Sequence, residues 1–397
     1  MCVLIDECGH DSRSRHHCST NANGCPGVCQ HRFEGGLKGD NHNTELYELR
    51  TDVFEEVGKL REDRLHQPSE AEVSRYNLTE GICCRYDRVR EDKMQSLQEV
   101  FMDKIRINAM AKINLGLDVL RRRENGYHDV KMIMQTVNIY DTLEFVKTEA
   151  PGIVVKVDAM ELPTDENNLI YKAAKLLFEQ CAVTKGVIIT LTKRIPIAAG
   201  MAGGSTDAAA ALVGINQLFD LQLSIQELKE IGVKIGADVP YCIEGGTALS
   251  EGIGEILTKL PDAPDCFVVV AKPEISVSTK YVYENLHANE LKYHPDIDGM
   301  VEAIRNGDLD GVCTRMENVL ETVTEKKYPV ISELKALLKN AGAENSLMSG
   351  SGPTVFAIFK EKEKAEKALE IVKDSGLAKQ SFVTTFAKET QISVEIK

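Results

Sequence analysis

The chain has 397 residues, more than one hydrophobic core usually serves, and 43% of them are hydrophobic, enough for two packed domains. A formal net charge of −14 denies it the basic field that non-specific nucleic-acid binding requires, though local backbone N–H groups and a few lysines could still hold a phosphorylated ligand. No run of about 18 apolar residues could cross a membrane, and residues 1–20 lack the apolar stretch of a secretory signal; no membrane partner and a cytoplasmic location are the expectations.

Residues 1–103 differ in texture from the rest and hold seven of the eleven cysteines. Helical spacing runs through 46–65, and a second helix fits 91–104. Cys18, Cys25, Cys29 and His31, with His16 and His17 beside them, could bind zinc. Their spacing fits no defined finger and lacks the paired CxxC signature, so a loose extension is the better reading. The other four cysteines, Cys181, Cys242, Cys266 and Cys313, sit among apolar neighbours and read as small buried hydrophobes in a reducing compartment.

From Ile105 onward the pattern is that of a folded domain. Residues 105–118 alternate and then turn apolar, as a strand does. Asn125-Gly126 marks a reversal within 121–128, and strand-like segments continue over 130–145. The β-branched runs 152–157 and 186–191 read as strands with a helix over 169–180 between them. A Gly-rich loop then leads into an Ala-rich helix. Ser224 and Glu227 form the capping box of the next helix, over 224–235. A strand over 266–271, a loop-rich stretch over 278–295 with room for a short helical piece, a Pro-started helix over 329–340, a strand–turn–strand unit over 346–359, a charged helix over 361–375 and a strand over 382–386 complete the order. Strands and helices mix without βαβ alternation, so the fold class is α+β in two subdomains, split near 261–264.

Four constellations carry chemistry. In the loop 196–207, Gly200, Gly203 and Gly204 permit close backbone approach, and Ser205, Thr206 and Asp207 open a helix whose unpaired N–H groups and positive dipole end suit a phosphate. It is neither a Walker A loop nor a Rossmann fingerprint, and the plainer reading is a turn that caps a buried helix. Ala202 fits this loop only with a negative φ. Lys112 and Asn114, two apart on a strand, point to one face and make a polar patch. A lysine facing solvent from a sheet edge is the bland alternative. Asp238, before Val239-Pro240, sits between a helix and an apolar strand-like piece, where a turn aspartate is the commoner use. The turn Ser349-Gly350-Ser351-Gly352-Pro353-Thr354 offers N–H groups to a phosphate or is a plain hairpin.

Taken together and in this order, Lys-x-Asn-Leu, PxxxGxxGGSxDAAA, GADVP and SGSGPTVF resemble the GHMP kinase superfamily, and the resemblance covers residues 105–386. The segment AKINLGLDVLRRRENGYHDVKMIMQTV, with its Asn-Gly-Tyr-His run, is similar to the branch that acts on a cytidine-diphosphate-linked polyol. The resemblance implies a two-subdomain fold: a ribosomal-protein-like, ATP-binding domain over 104–262 and a ferredoxin-like domain over 263–397, preceded by an extension of unknown role, poorly ordered, over 1–103. That extension could also be upstream sequence, with Met102 or Met110 as the true start.

It implies ATP-dependent phosphorylation of a substrate hydroxyl in the non-mevalonate route to isoprenoid precursors, with ATP and Mg²⁺ as cofactors. Lys112 and Asp238 match the catalytic pair. Pro196, Ala198, Gly200, Met201, Ala202, Gly203, Gly204, Ser205 and Thr206 match the ATP-phosphate loop; Met201-Ala202 and Ser205-Thr206 depart slightly from the usual residues. Asn114, Tyr127 and His128, with Thr279 and Tyr283, match the substrate contacts: His128 on the cytosine edge, Tyr127 and Tyr283 on its two faces. Gly350 to Gly352 match the third superfamily motif. The Mg²⁺ ligand is sought at Ser205 or Thr206, with Asp207 less favoured. Asp238 is the candidate base for a hindered tertiary hydroxyl, with Lys112 beside it stabilising charge. The rivals are a superfamily member acting on homoserine or a mevalonate derivative, a catalytically dead member serving as sensor or scaffold, and a zinc module fused at the N-terminus. The sequence does not set the oligomeric state.

Overall fold

The structure, a computed structural model, describes residues 104–387 and the backbone of 392–396; the helices and the zinc ligands read within 1–103 lie outside the described residues. Two sheets organise it. The first runs β11-β1-β2-β4-β3, with a β5–β6 arm on β2. Its centre is the long hairpin of β1 (Lys104–Arg122) and β2 (His128–Thr148), closed by a turn in which Gly126 takes φ 87°. β3 (Gly152–Val157) pairs parallel to β4 (Gly186–Thr192), joined by helix α1 (Leu169–Gln180). Helix α2 (Gly203–Leu218) packs under this sheet. Ala208, Ala209, Ala210 and Ala211 are fully buried, and Gly214 lets Phe145 come so close that an added Cβ would lie 2.7 Å from its Cζ. Small side chains thus bring α2 against the strands, where a larger residue would overpack.

Helix α3 (Ile225–Val233) starts on the expected capping box. Residues 239–244, read from sequence as strand-like, form helix α4 (Val239–Glu244) instead. Pro240 lies in its first turn, where a missing N–H costs nothing, and Tyr241, wholly buried, donates its hydroxyl to Gly246 O. β5 (Thr247–Glu251) and β6 (Ile256–Lys259) follow, neither of them expected.

The second sheet, β10-β7-β9-β8, is built from β7 (Phe267–Lys272), β8 (Asn345–Met348), β9 (Val355–Phe359) and β10 (Gln380–Thr385). Between β7 and β8 run α5 (Thr279–Asn285), α6 (Ile297–Arg305), α7 (Leu309–Thr314), α8 (Glu321–Lys327) and α9 (Val330–Asn340); α10 (Lys362–Ser375) links β9 to β10. Helices α6 and α7 went unread, although Asp296 and Asp308 cap them by accepting from Gly299 N and Gly311 N. The chain then returns: β11 (Ile392–Ile396) pairs antiparallel with β1, so the last strand belongs to the first sheet and not the second. No helix among the described residues is long and apolar enough to cross a membrane.

Irregularities in β1 decide which side chains face which core. Ile105, Ile107 and Ala109 belong to the core shared with α2, while Ala111, Ile113 and Leu115 belong to the core shared with β7 and β9. These residues have the same parity, so strict alternation would put them on one face. The register shift between Met110 and Ala111 reverses the phase, and a second shift between Asn114 and Gly116 returns Leu117 and Val119 to the α2 side. Lys112 and Asn114 lie between the two shifts and face the start of α2.

Candidate active site

A cavity of about 1070 Å³ opens between the first sheet, the start of α2, α4, α5 and the β8–β9 turn. At one end lies the glycine loop ahead of α2. Gly200 has φ 72° and packs on the β8–β9 turn, where an added Cβ would lie 2.2 Å from Ser349 O; only glycine fits. Ala202 does not take the negative φ expected of it. It sits at φ 56°, as does Ala198 at φ 51°. Each such residue stores about 1–2 kcal/mol of strain, held by the packing around it. That packing includes Lys112 N donating to Met201 O and Ser349 Oγ donating to Gly200 O.

Helix α2 begins at Gly203, two residues before the expected start, with Ala202 as an N-cap that supplies no side-chain acceptor. The first N–H groups of a helix have no partner within it, and here Gly203, Gly204 and Ser205 line the cavity. Pro196, Ala198, Gly200 and Ala202 line it as well, whereas Met201 and Thr206 do not. Met201 is packed in the second core, and Thr206 is wholly buried with its hydroxyl donated to Met110 O.

Mid-cavity, Lys112 is 4% exposed; its Nζ donates to Asn114 Oδ1 at 2.7 Å and lies 3.8 Å from Asp238 Oδ2. Asn114 is fully buried and donates to Met132 Sδ. Asp238 stands at the N-cap position of α4 without capping it, so its carboxylate is left to Lys112 and the cavity. Thr279 shares a 2.8 Å hydrogen bond with Ser351 on the β8–β9 turn. Asn318, which drew no attention in the sequence, donates to Met348 O and Gly350 O and so holds that turn in place.

The far end is aromatic. His128 and Tyr283 meet with ring centroids 5.1 Å apart at 45°, and Tyr127, 60% exposed, stands at the rim. Burial, followed by the charge of Arg122, holds His128 below the ordinary imidazole value. Its Nε2 is buried with no protein partner, which calls for a reason because buried polar atoms are nearly always paired. Burial pushes the Tyr283 phenol well above its usual value.

A buried trio beside α2 was missed. Lys193 Nζ lies 2.5 Å from Asp141 Oδ2 and 2.7 Å from Asp207 Oδ2, and Asp141 Oδ1 accepts from the backbone N–H groups of Arg194 and Ile195. One cation serves two carboxylates. Burial, opposed by Lys193 and reinforced by Asp141, pushes Asp207 up to about 8, and its Oδ1 has no partner. The Lys193 ammonium is stabilised by both acids. A single Asp read from sequence carries no sign of such a trio, because Asp141 and Lys193 lie far from it along the chain.

The structure therefore gathers Lys112, Asn114, Tyr127, His128, Asp238, Thr279, Tyr283 and most of the glycine loop around one space. The model of the GHMP kinases N terminal domain matches residues 168–246, and that of the GHMP kinases C terminal domain matches 300–377. A 4-diphosphocytidyl-2-C-methyl-D-erythritol kinase of Lachnoclostridium phytofermentans is 53% identical over 291 residues, covering 73% of this chain and 100% of that protein. A protein of the same name from Lachnospira eligens is 52% identical, covering 71% and 98%. Among solved structures, a 4-(cytidine 5'-diphospho)-2C-methyl-D-erythritol kinase superposes with a TM-score of 0.62 at 29% identity, over 72% of this chain and 100% of that one. A homoserine kinase from Cytophaga hutchinsonii, TM-score 0.61 at 22% identity over 74% of this chain and 98% of that one, shares the fold. With the two-subdomain architecture, the glycine loop and the Asn-Gly-Tyr-His turn in one cavity, and relatives matched along nearly their whole length, the chain belongs to the 4-diphosphocytidyl-2-C-methyl-D-erythritol kinase family of GHMP kinases.

Proposed function

We propose that the chain transfers the γ-phosphoryl group of ATP to the 2-hydroxyl of 4-diphosphocytidyl-2-C-methyl-D-erythritol, the phosphorylation step of the non-mevalonate route to isoprenoid precursors. The observation that carries this reading is the Lys112–Asp238 couple, set in one cavity between the exposed start of α2 and the His128–Tyr283 pair. The N–H groups of Gly203, Gly204 and Ser205 and the dipole of a 16-residue helix suit the ATP phosphates. His128 Nε2 suits a cytosine edge, with Tyr283 and Tyr127 for its faces.

In this reading Asp238 accepts the proton of the attacking hydroxyl as the phosphoryl group leaves ADP, and Lys112 stabilises charge on the transferring oxygens. A weakly nucleophilic tertiary alcohol needs such a base within hydrogen-bond reach, and positioning supplies most of the rest. Of the three residues considered for Mg²⁺, Ser205 fits best. It lines the cavity, whereas Thr206 spends its hydroxyl on Met110 O and Asp207 spends an oxygen on Lys193. Mg²⁺ held there with the ATP phosphates would neutralise their charge. Residues 104–262 would then supply the nucleotide side, and 263–397 the β8–β9 turn and Tyr283.

The rival substrates, homoserine and mevalonate derivatives, have no aromatic base to occupy the His128 end, and Lys112 and Asp238 speak against a catalytically dead scaffold. The test is ATP consumption by the purified chain with the cytidyl substrate, homoserine and mevalonate as separate acceptors. Turnover with the first alone is expected; preference for either of the others overturns the proposal.

A further inference from the structure

We propose that Arg122 is a binding residue for the diphosphate of the cytidine-diphosphate-linked substrate, an inference that rests on the function proposed above. Residues 121–123 are three consecutive arginines at the end of β1, and the structure divides their work. Arg121 Nε and Arg123 Nη2 both reach Asp129, each at 2.5 Å. Neither lines the cavity. A third register shift, between Val119 and Arg121, turns Arg122 back to the face that already carries Leu117 and Val119. There it pairs across the strands with His128, one residue out of the register that sets Leu117 opposite Met132 and Val119 opposite Val130. Directly opposed residues of an antiparallel pair share a face, and Arg122, His128, Val130 and Met132 all line the cavity.

The charges of that cavity isolate Arg122 further. Four cations line it. Lys112 has Asp238, Lys193 has Asp141 and Asp207, and Lys280, 82% exposed, lies 3.8 Å from Glu284 on the next turn of its own helix. The Arg122 guanidinium has no ion pair and no side-chain hydrogen bond to any described residue; only its backbone N–H is engaged, with Asn289 Oδ1. Arg122 is also the charge that depresses protonation of His128. A ligand whose base sits on His128 carries its phosphates one ribose away, within the sweep of an arginine side chain anchored opposite. Guanidinium presents a planar fork of donors that matches phosphate oxygens. In a chain of net charge −14, an anionic substrate needs such a local cation.

The experiment is calorimetric titration of full-length wild type, Arg122→Gln and Arg122→Lys with cytidine, CMP and CDP, alongside steady-state kinetics. Loss of a charge-assisted contact to phosphate is expected to lower CDP affinity, and to raise KM for the cytidyl substrate, about 10- to 100-fold. Cytidine affinity, KM for ATP and kcat should stay within about threefold of wild type, and Arg122→Lys should recover part of the loss. Unchanged cytidine binding also certifies that the variant is folded. An Arg122→Gln protein that keeps the full preference of wild type for CDP over cytidine overturns this assignment and leaves the proposed function standing. A wild-type chain that binds none of the three cytidine ligands overturns the function itself, and this inference with it.

Discussion

Lys112 Nζ stands 3.8 Å from Asp238 Oδ2 while donating at 2.7 Å to Asn114 Oδ1, so one buried ammonium ties β1 to the start of α4. The carboxylate is 32% exposed on the cavity side and caps no helix. Asp238→Asn keeps the shape and removes the basic oxygen. Its kcat should fall about 10²- to 10⁴-fold, the usual contribution of a positioned base, with ATP affinity nearly unchanged. An unaltered kcat in single-turnover measurements would remove Asp238 from the mechanism.

His128 is held neutral by burial and by Arg122. Its folded value lies below 6.5, so acidification penalises the folded and ligand-bound forms once the pH falls below about 6.5, and the penalty is absent above that. KM for the cytidyl substrate should therefore rise on the acid side in wild type, and a neutral replacement at 128 should lose that limb. His128→Ala should also raise KM at neutral pH with little change in kcat. A KM equal to that of wild type would break the assignment of the aromatic end to the base.

Gly200 combines φ 72° with a backbone oxygen 2.2 Å from any added Cβ. Backbone atoms cannot step aside as a flexible side chain can. Gly200→Ala should cost about 1–3 kcal/mol of stability, seen as a lower melting temperature, and should raise KM for ATP by spreading the loop from the β8–β9 turn. An alanine variant with wild-type melting and KM would show that the loop is not wedged as described.

Asp207 binds a proton up to about pH 8 in the folded chain against 3.8 for a free carboxyl, so folding stability contributed by this site declines as pH rises from about 4 to about 8. Asn mimics the protonated acid. Asp207→Asn should therefore gain stability relative to wild type as pH increases through that window and keep activity at neutral pH. Parallel melting curves for the two proteins across that range would mean that Asp207 is ionised throughout.

The sequence by itself determined much of the local structure, because the signals for it are local. The capping box at Ser224 and Glu227, the Asn125-Gly126 reversal, the helix over 169–180 and the β8–β9 turn are all present as read. The motif residues could be listed for the same reason. Their roles came from resemblance, since a Gly-rich loop or a turn aspartate alone has plainer uses. Only the tertiary structure decided which faces they share. Alternation along β1 predicts that Lys112 and Asn114 point together, but not that they point toward α2. The register shift at 110/111 sets that, while those at 114/116 and 119/121 set the faces of the residues after them, and a register is a property of two paired strands. The same holds for Ala202, whose positive φ is imposed by the packing of the loop. It holds for the Lys193, Asp141 and Asp207 trio, whose members meet only after β2, β4 and α2 are packed. Spacing reports what lies within a few residues along the chain; burial, charge pairing and strand phase arise between segments that folding brings together.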